Sequence, residues 1–275
     1  MKYRLVALDL DGTLLDSSLQ IRRQTIDALH RIRQQGVQVM IVTGRHHTAT
    51  HAYWHQLGLE LPAICCNGTY LYDFRHRRPL AGNPLTRQEA AELLAIFRKH
   101  PVHAMVYVAD AMVCEKDSPH LDGLRRWSAS LPETIRPRLE FVDSFERLIE
   151  ETETIWKFLA ACEEIQALEA FECDVGAHSA FSCVRSASNR VDIARGGNTK
   201  GQRLQEYIAQ LGILPEEVIA FGDQNNDKEM LELAGLGVAM GNSREEIRDC
   251  ADWVTGTNDS DGIADVLHRF VLTAT

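Results

Sequence analysis

Short apolar runs alternate with amphipathic helical stretches at the start of the chain and again near its end. The apolar runs are typical of buried strands and lie at 5–8, 37–42, 218–221 and 238–240. Between the first two, Ile26, Leu29 and Ile32 share one face of a predicted helix. Asn67-Gly68 separates two further apolar runs and predicts a hairpin turn. The alternation as a whole predicts a parallel sheet that is covered by helices.

The pattern changes in the middle of the chain, where strands and helices alternate less regularly. The strand-like runs there are 103–108, 112–114, 155–160 and 181–185. Capping boxes predict helix starts at Thr86 in this block and at Ser243 after it. We therefore predict an α/β fold whose core is a Rossmann-like doubly wound parallel sheet, formed by residues 1–83 and 188–275. Residues 84–187 are predicted to form an inserted α+β domain.

Composition narrows the functional classes. The 275 residues carry a formal net charge of −10 without an evident basic face, which disfavours nucleic acid and anionic membranes as partners. No uncharged apolar stretch approaches the roughly 18 residues of a membrane span, and the N-terminus shows no secretory signal. The seven cysteines include no C-x-x-C pair, which favours reduced, mostly buried thiols over a zinc ribbon. We expect a cytoplasmic protein, and nothing in the sequence indicates its oligomeric state.

Polar residues follow several of the strand-like runs directly. Asp9, Thr43 and Asp223 are in this position, and the carboxyl ends of parallel strands meet at one edge of a sheet. Asp11 lies two residues after Asp9, so the two carboxylates point the same way in an extended chain. Asp227 shares the second acidic loop with Asp223. Because carboxylates repel each other, this set needs a cation, and oxygen ligands beside a phosphate favour Mg²⁺.

Groups that could bind an anion accompany the acidic loops. Lys200 lies where a helix is predicted to begin, and helix starts bind anions readily. Thr43-Gly44-Arg45 supplies a hydroxyl group, a flexible joint and a cation. Each feature alone also fits an ordinary surface or turn position. Together with the acidic loops they predict a site for a metal ion and a phosphate group.

The same residues, in this order, resemble the four motifs of the haloacid dehalogenase superfamily. The matching motifs are Asp9-x-Asp11-Gly-Thr, Thr43, Lys200 and Gly222-Asp223-x-x-x-Asp227. The middle block is similar to the α/β cap domain of the Cof-type branch of that superfamily. Other stretches resemble the pyridoxal phosphate phosphatases of this branch, namely 44–47, 63–70, 156–158 and 191–198. Lys228 departs from the apolar residue that the branch leads us to expect.

The resemblance implies a Mg²⁺-dependent phosphatase that forms an aspartyl-phosphate on Asp9, with Asp11 as general acid and base. The implied metal ligands are Asp9, Asp11 through its backbone carbonyl, Asp223 and Asp227. Thr43, Gly44, Lys200 and Asn226 are the candidates for binding the phosphoryl group. The candidates for substrate specificity are Arg45, His46, His47, Asn67, Arg195 and Asn198.

The expected partner is a small phosphate ester, and pyridoxal 5'-phosphate is the first candidate. A sugar-phosphate phosphatase is the alternative within the branch, because such enzymes share all four motifs. A phosphomutase is disfavoured, because it would have to shield the aspartyl-phosphate from water while the sugar reorients. A non-catalytic phospho-metabolite-binding protein is disfavoured by the presence of Asp9 and Asp11. A dinucleotide-dependent dehydrogenase is disfavoured because no G-x-G-x-x-G follows the first strand.

Overall fold

The computed structural model describes residues 2–273, and the protein has an α/β fold. Its strands are β1 (Leu5–Leu8), β2 (Gln38–Ile41), β3 (Ala63–Cys65), β4 (Tyr70–Asp73), β5 (Arg78–Gly82), β6 (His103–Val108), β7 (Met112–Cys114), β8 (Leu139–Phe141), β9 (Ile155–Ala161), β10 (Phe181–Ala187), β11 (Arg190–Arg195), β12 (Val218–Gly222), β13 (Leu236–Ala239) and β14 (Trp253–Val254). Its α-helices are α1 (Arg23–Gln34), α2 (His47–Gln56), α3 (Arg87–Phe97), α4 (Asp122–Ala129), α5 (Phe145–Glu151), α6 (Ile165–Gly176), α7 (Lys200–Gln210), α8 (Lys228–Leu233), α9 (Glu245–Asp249) and α10 (Gly262–Leu267).

A five-stranded parallel sheet has the strand order β14-β13-β12-β1-β2. Every residue of β1, β12 and β13 is buried, which explains why these strands are continuous apolar runs and not alternating ones. In the register, Leu8 of β1 lies beside Ile41 of β2 and Phe221 of β12. The residues that follow these three strands therefore emerge at one edge. The predicted parallel core is confirmed.

The chain divides into two compact units. The first unit comprises the chain up to Thr43, the segment Tyr53–Leu80 and the chain from Thr199 onward. The second unit comprises Gly44–Ala52 and Ala81–Asn198. The short segment after Thr43 thus packs with the second unit, although it lies early in the sequence. The domain boundaries at 83/84 and 187/188 stay a prediction.

A six-stranded sheet with the order β10-β11-β9-β6-β7-β8 forms the second unit's framework. Its neighbouring strands are antiparallel except β7 and β8, which are parallel. Helices α3, α5 and α6 supply much of its apolar core, including Leu93, Phe145 and Phe171. Packing of this kind excludes water, so a charged side chain inside the unit needs a partner of opposite charge.

One predicted capping box is confirmed and the other is wrong. Thr86 accepts from the backbone N–H of Glu89 at 3.2 Å, and the Glu89 side chain bonds back to Thr86. Ser243 does not cap α9, which begins at Glu245 with Arg244 in the N-cap position. Four of the seven cysteines are buried, as predicted. Within residues 2–273, no helix combines the length and apolarity that crossing a membrane requires.

Candidate active site

Two strand ends of the first unit bring acidic residues to one edge of the parallel sheet. Asp9 directly follows β1, and its backbone N–H donates to the carbonyl of Phe221 in β12 at 3.1 Å. Asp223 directly follows β12, and Asp227 lies one short turn later. The arrangement places two acidic loops side by side, as the strand pattern predicted.

Asp9, Asp223 and Asp227 form a buried carboxylate cluster. Each offers one oxygen, and the three oxygens lie within 4.8 Å of one another. Lys200 lies among them, and its Nζ donates to Asp9 Oδ1 at 2.6 Å and to Asp227 Oδ1 at 2.7 Å. Lys200 is 1 % exposed and Asp227 is 0 % exposed, so these pairs are shielded from water. The cluster joins residues from both ends of the chain.

The electrostatics of the cluster reflect a surplus of negative charge. Burial raises the pKa of the Asp9 carboxyl well above its usual range, Lys200 opposes this rise, and Asp227 and Asp223 add to it. Burial and the Asp227 charge raise the pKa of Asp223 to about 6, although a hydrogen bond from Thr13 opposes the rise. Burial lowers the pKa of Lys200, but the carboxylates of Asp227 and Asp9 outweigh burial and raise it overall. Three carboxylates are thus crowded around one ammonium group.

Close backbone contacts hold the acidic loops in place. Asp227 Oδ2 accepts from the backbone N–H groups of Asp223 at 3.0 Å and Gln224 at 3.1 Å. Thr13 Oγ1 donates to Asp223 Oδ1 at 2.8 Å. Gly12 has a φ of +81°, and a Cβ atom there would lie 2.4 Å from Asp223 Oδ2. A glycine is therefore required where the first acidic loop passes the second.

Lys200 owes its position to the start of α7. Thr199 is the N-cap residue of this helix, and its hydroxyl accepts from the backbone N–H of Gln202 at 3.0 Å. Lys200 is the first helical residue, so its side chain and the helix N-terminus combine positive charge in one place. The sequence prediction of a helix starting at this lysine is confirmed.

Asp11 is the one carboxylate of the first motif that stays exposed. Its backbone forms a bridge with Leu15, which bends the chain back after Gly12. Asn242 Nδ2 donates to the Gly12 carbonyl at 2.9 Å and Asn258 Nδ2 donates to the Leu15 carbonyl at 2.9 Å. Two asparagines from the C-terminal part of the chain therefore support the loop that carries Asp11.

In the first unit, Asn67 forms hydrogen bonds with both Thr43 and Asn226. Thr43 is 1 % exposed, and its backbone carbonyl accepts from the Asn67 N–H at 3.0 Å. Asn226 Nδ2 donates to Asn67 Oδ1 at 2.9 Å. Asn67, a predicted specificity residue, is thus bonded to two predicted phosphoryl-binding residues.

The other predicted site residues lie in the second unit. Lys157 Nζ donates to the Gly44 carbonyl at 2.8 Å and pairs with Asp192 Oδ1 at 2.7 Å, with both side chains buried. The Arg45 guanidinium lies 5.0 Å from the centroid of the Trp127 ring. His46 Nε2 lies 3.0 Å from the Val108 carbonyl, and His47 Nε2 lies 3.4 Å from Asp110 Oδ1.

Arg195 and Asn198 form a separate group with Asn83. Arg195 Nη1 donates to Asn83 Oδ1 at 3.0 Å, and Arg195 Nε pairs with Glu89 at 3.1 Å. Asn198 Nδ2 donates to the carbonyls of Asn83 at 3.1 Å and Arg195 at 3.0 Å. Asn83 and Asn198 lie near the two ends of the long segment of the second unit, Ala81–Asn198, so these bonds join the two ends of that segment. A specificity role for either residue stays a prediction.

Acid is expected to destabilise the second unit through its buried histidines. Burial lowers the pKa of His46 to about 3, and burial together with the charges of His46 and His51 lowers the pKa of His47 to about 2. Lys157 also faces His46 and disfavours its protonation. An unfolded histidine takes up a proton near pH 6.5, so the free energy of unfolding falls as the pH drops below that value. The loss is about 1.4 kcal/mol per pH unit for each histidine.

The matched variant His46→Gln keeps an amide donor for the Val108 carbonyl but cannot take up a proton. We expect urea unfolding of this variant to show a pH slope about one proton shallower than wild type between pH 6.5 and 5. His30→Gln, at an exposed position on α1, is the control. A wild-type slope in His46→Gln would show that His46 is already protonated in the folded protein.

Sequence reasoning missed several residues that support the site. The sequence motifs indicate no separate role for Thr13, Asn242, Asn258 or the Lys157–Asp192 pair. The hydroxyl of Thr13 in Asp-x-Asp-Gly-Thr is a signal that could have been used. Asn242 and Asn258 lie more than 200 residues from the groups they bond, so their contacts depend on the tertiary fold.

The donor set fits a divalent cation. With all three carboxyl groups ionised, the three carboxylates and one ammonium group would carry a net charge of −2 in a buried site. Carboxylate oxygens are the ligands that Mg²⁺ prefers, and burying such a surplus without a counter-ion is costly. Asp9, Asp223 and Asp227 are therefore the residues that could hold a metal ion.

Comparisons with known proteins agree with this geometry. A family model described as haloacid dehalogenase-like hydrolase matches residues 6–267. The pyridoxal phosphate phosphatase YbhA of Escherichia coli K12 is 40% identical over 272 residues, which cover 99% of this chain and 100% of that protein. The phosphatase YwpJ of Bacillus subtilis is 31% identical over 285 residues, with 98% and 100% coverage. A haloacid dehalogenase-like hydrolase from B. subtilis has a similar structure, with a TM-score of 0.86, 28% identity and coverage of 98% and 100%. The chain belongs to the haloacid dehalogenase-like hydrolase family and is a phosphoric monoester hydrolase.

Proposed function

We propose that the protein is a Mg²⁺-dependent phosphatase that hydrolyses small phosphate monoesters, pyridoxal 5'-phosphate first among them, through an aspartyl-phosphate on Asp9. The observation that carries the proposal is the buried cluster in which Lys200 bonds both Asp9 and Asp227. A carboxylate that is kept from water and held by a cation is positioned as a nucleophile. Mg²⁺ bound by Asp9, the Asp11 carbonyl, Asp223 and Asp227 would offset the charge of the phosphate group.

The reaction has two displacement steps at phosphorus. In the first, an Asp9 carboxylate oxygen attacks the phosphorus atom, the bond from phosphorus to the ester oxygen breaks, and Asp11 gives its proton to that oxygen. In the second, Asp11 takes a proton from water, the water oxygen attacks phosphorus, and the bond to Asp9 breaks. Inorganic phosphate leaves and both carboxyl groups return to their starting states. Dividing the hydrolysis in this way replaces one difficult step with two easier ones.

The phosphoryl oxygens are bound by Thr43, Gly44, Lys200 and Asn226 in this proposal. Lys200 is already oriented by two buried ion pairs, so little side-chain entropy is lost when the phosphate binds. The second unit is proposed to act as a cap domain that selects the leaving group. Arg45, His46, His47, Arg195 and Asn198 belong to that unit and are the proposed specificity residues.

The choice of pyridoxal 5'-phosphate rests on the relative from E. coli, which is named a pyridoxal phosphate phosphatase and is 40% identical. The stretches that resemble such enzymes include 191–198, which contains Arg195 and Asn198. A sugar-phosphate phosphatase uses the same four motifs and is the second candidate. A cytoplasmic location stays a prediction.

A substrate panel tests the proposal. We expect Mg²⁺-dependent release of phosphate with the highest kcat/KM for pyridoxal 5'-phosphate, because its ring offers both aromatic and polar groups to a cap. The panel contains pyridoxal 5'-phosphate, several hexose phosphates and p-nitrophenyl phosphate, each with Mg²⁺ or with EDTA. A higher kcat/KM for a hexose phosphate would make that ester, and not pyridoxal 5'-phosphate, the preferred substrate. Equal release in EDTA would exclude the metal requirement.

A further inference from the structure

The turn Cys66–Gly68, which joins β3 to β4, has an unusual backbone. Its three residues have φ values of 49°, 57° and 90°, so all three are in the left-handed region. Two of them, Cys66 and Asn67, are not glycine, and each such residue costs about 1 kcal/mol of backbone strain. All three are buried. A strained and buried turn persists only where the surrounding structure holds it in place.

The turn bonds two of the groups proposed to bind phosphate. The Asn67 N–H donates to the Thr43 carbonyl at 3.0 Å, so the backbone of the turn fixes the end of β2. The Asn67 side chain accepts from Asn226 Nδ2 at 2.9 Å, so its amide fixes a residue of the second acidic loop. One residue therefore ties the strand end that carries Thr43 to the loop that carries Asn226.

Gly68 extends the turn to the helix that carries Lys200. A Cβ atom on Gly68 would lie 2.0 Å from the Thr199 carbonyl oxygen and 3.0 Å from the Lys200 nitrogen. Arg203, one turn into α7, donates through Nε to the Gly68 carbonyl at 3.0 Å. The turn and the start of α7 thus pack backbone against backbone, with no space for a side chain.

We infer that the Cys66–Gly68 turn fixes the relative positions of Thr43, Lys200 and Asn226, and that Asn67 is a positioning residue and not a contact for the leaving group. The inference rests on the proposed function of those three residues as phosphoryl ligands. Asn67 is 6 % exposed, and its side-chain oxygen already accepts from Asn226. A residue in this position affects every phosphate ester alike, whatever the alcohol.

Asn67→Gly tests the inference without disturbing the turn. Glycine adopts a φ of 57° without strain and keeps the N–H that bonds Thr43, while the side-chain bond to Asn226 is lost. We expect kcat/KM to fall about tenfold for every ester of the panel, because the partly buried Asn226 amide loses the bond that holds it in place. The ranking of the esters should stay the same. The inhibition constant of inorganic phosphate should rise by a similar factor.

A double-mutant cycle with Asn226→Ala separates positioning from direct contact. If Asn67 acts through Asn226, adding Asn67→Gly to Asn226→Ala should lower kcat/KM by less than about twofold. Asn189→Gly, at the hairpin turn between β10 and β11, is the matched control and should keep wild-type kinetics. Thermal unfolding of each variant confirms that the fold is retained.

Calorimetry of inorganic phosphate binding in the presence of Mg²⁺ measures how well the phosphoryl ligands are positioned, because the affinity does not depend on turnover. If wild type hydrolyses no ester but binds phosphate, and Asn67→Gly weakens that binding, the proposed function fails and the positioning role stands. A changed ranking of esters in Asn67→Gly would overturn the positioning role and assign Asn67 to the leaving group. Wild-type kinetics and phosphate affinity in Asn67→Gly, full additivity in the cycle, or no phosphate binding by wild type would also overturn it.

Discussion

Asp9→Asn is expected to lower phosphate release by at least about a thousandfold while leaving the folded protein as stable as wild type or more stable. The amide cannot form the acyl phosphate, so both displacement steps are lost. Its oxygen can still accept the hydrogen bond from Lys200, which keeps the local packing. The variant therefore separates the chemistry of Asp9 from its structural contacts.

The stability part of this prediction follows from the direction of the Asp9 pKa. A carboxyl whose pKa is raised by folding destabilises the folded state at every pH above its unfolded pKa, because its charge is disfavoured there. Asparagine removes that charge and one of the three crowded carboxylates. At pH 7 in EDTA we thus expect the free energy of unfolding to rise. Such a gain in stability on removing an active-site charge is typical of a site built for function.

Phosphate release and urea unfolding in EDTA check both parts of the Asp9→Asn prediction. Asp27→Asn, which removes an exposed carboxylate on α1, is the matched control and should leave both quantities unchanged within about 0.5 kcal/mol. A rate in Asp9→Asn above about a tenth of wild type would identify a different nucleophile. A large loss of stability would show that the Asp9 charge holds the site together.

Features that depend on local sequence were predicted well. β1 and β12 are short apolar runs with polar residues after them, and their parallel pairing follows from the strand–helix alternation. The sequence alone therefore predicts that Asp9 and Asp223 lie at one edge of the sheet. The Thr86 capping box also depends on four consecutive residues only, and it is confirmed. Ser243 shows the limit of such a motif, because a different residue begins the helix.

Individual hydrogen bonds between side chains of distant residues were not predicted. Asn67 and Asn226 are 159 residues apart, and nothing in either local sequence indicates their hydrogen bond. The sequence made His46 and His47 candidates for substrate specificity, and it did not indicate that both side chains are buried in the second unit. The sheet of the second unit provides the Val108 carbonyl that lies 3.0 Å from His46 Nε2, a contact that no local pattern indicates. Sequence alone indicated the chemistry of these residues and not their surroundings.

Lys200→Met is expected to destabilise the protein by about 3–5 kcal/mol in EDTA, since it removes the buried ammonium group that pairs with Asp9 and Asp227. Methionine fills a similar volume, so the loss reflects charge and not a cavity. Asp9 and Asp227 would then be buried beside Asp223 without the ammonium group that bonds them. Activity is expected to be lost as well, because a phosphate ligand is absent.

Lys228→Met is the control for the Lys200 prediction, since it makes the same substitution on an exposed lysine that pairs with Glu232 at 3.8 Å. It should cost at most about 0.5 kcal/mol. In Lys200→Met, Mg²⁺ should raise the melting temperature by more than it does in wild type, because a cation bound only to the folded state supplies the missing charge. The double variant Lys200→Met with Asp227→Asn should regain part of the lost stability, since it removes one unpaired carboxylate. If Lys200→Met is as stable as Lys228→Met in EDTA, the carboxylates must be protonated in the folded protein, and the negatively charged metal site inferred from their crowding would be wrong.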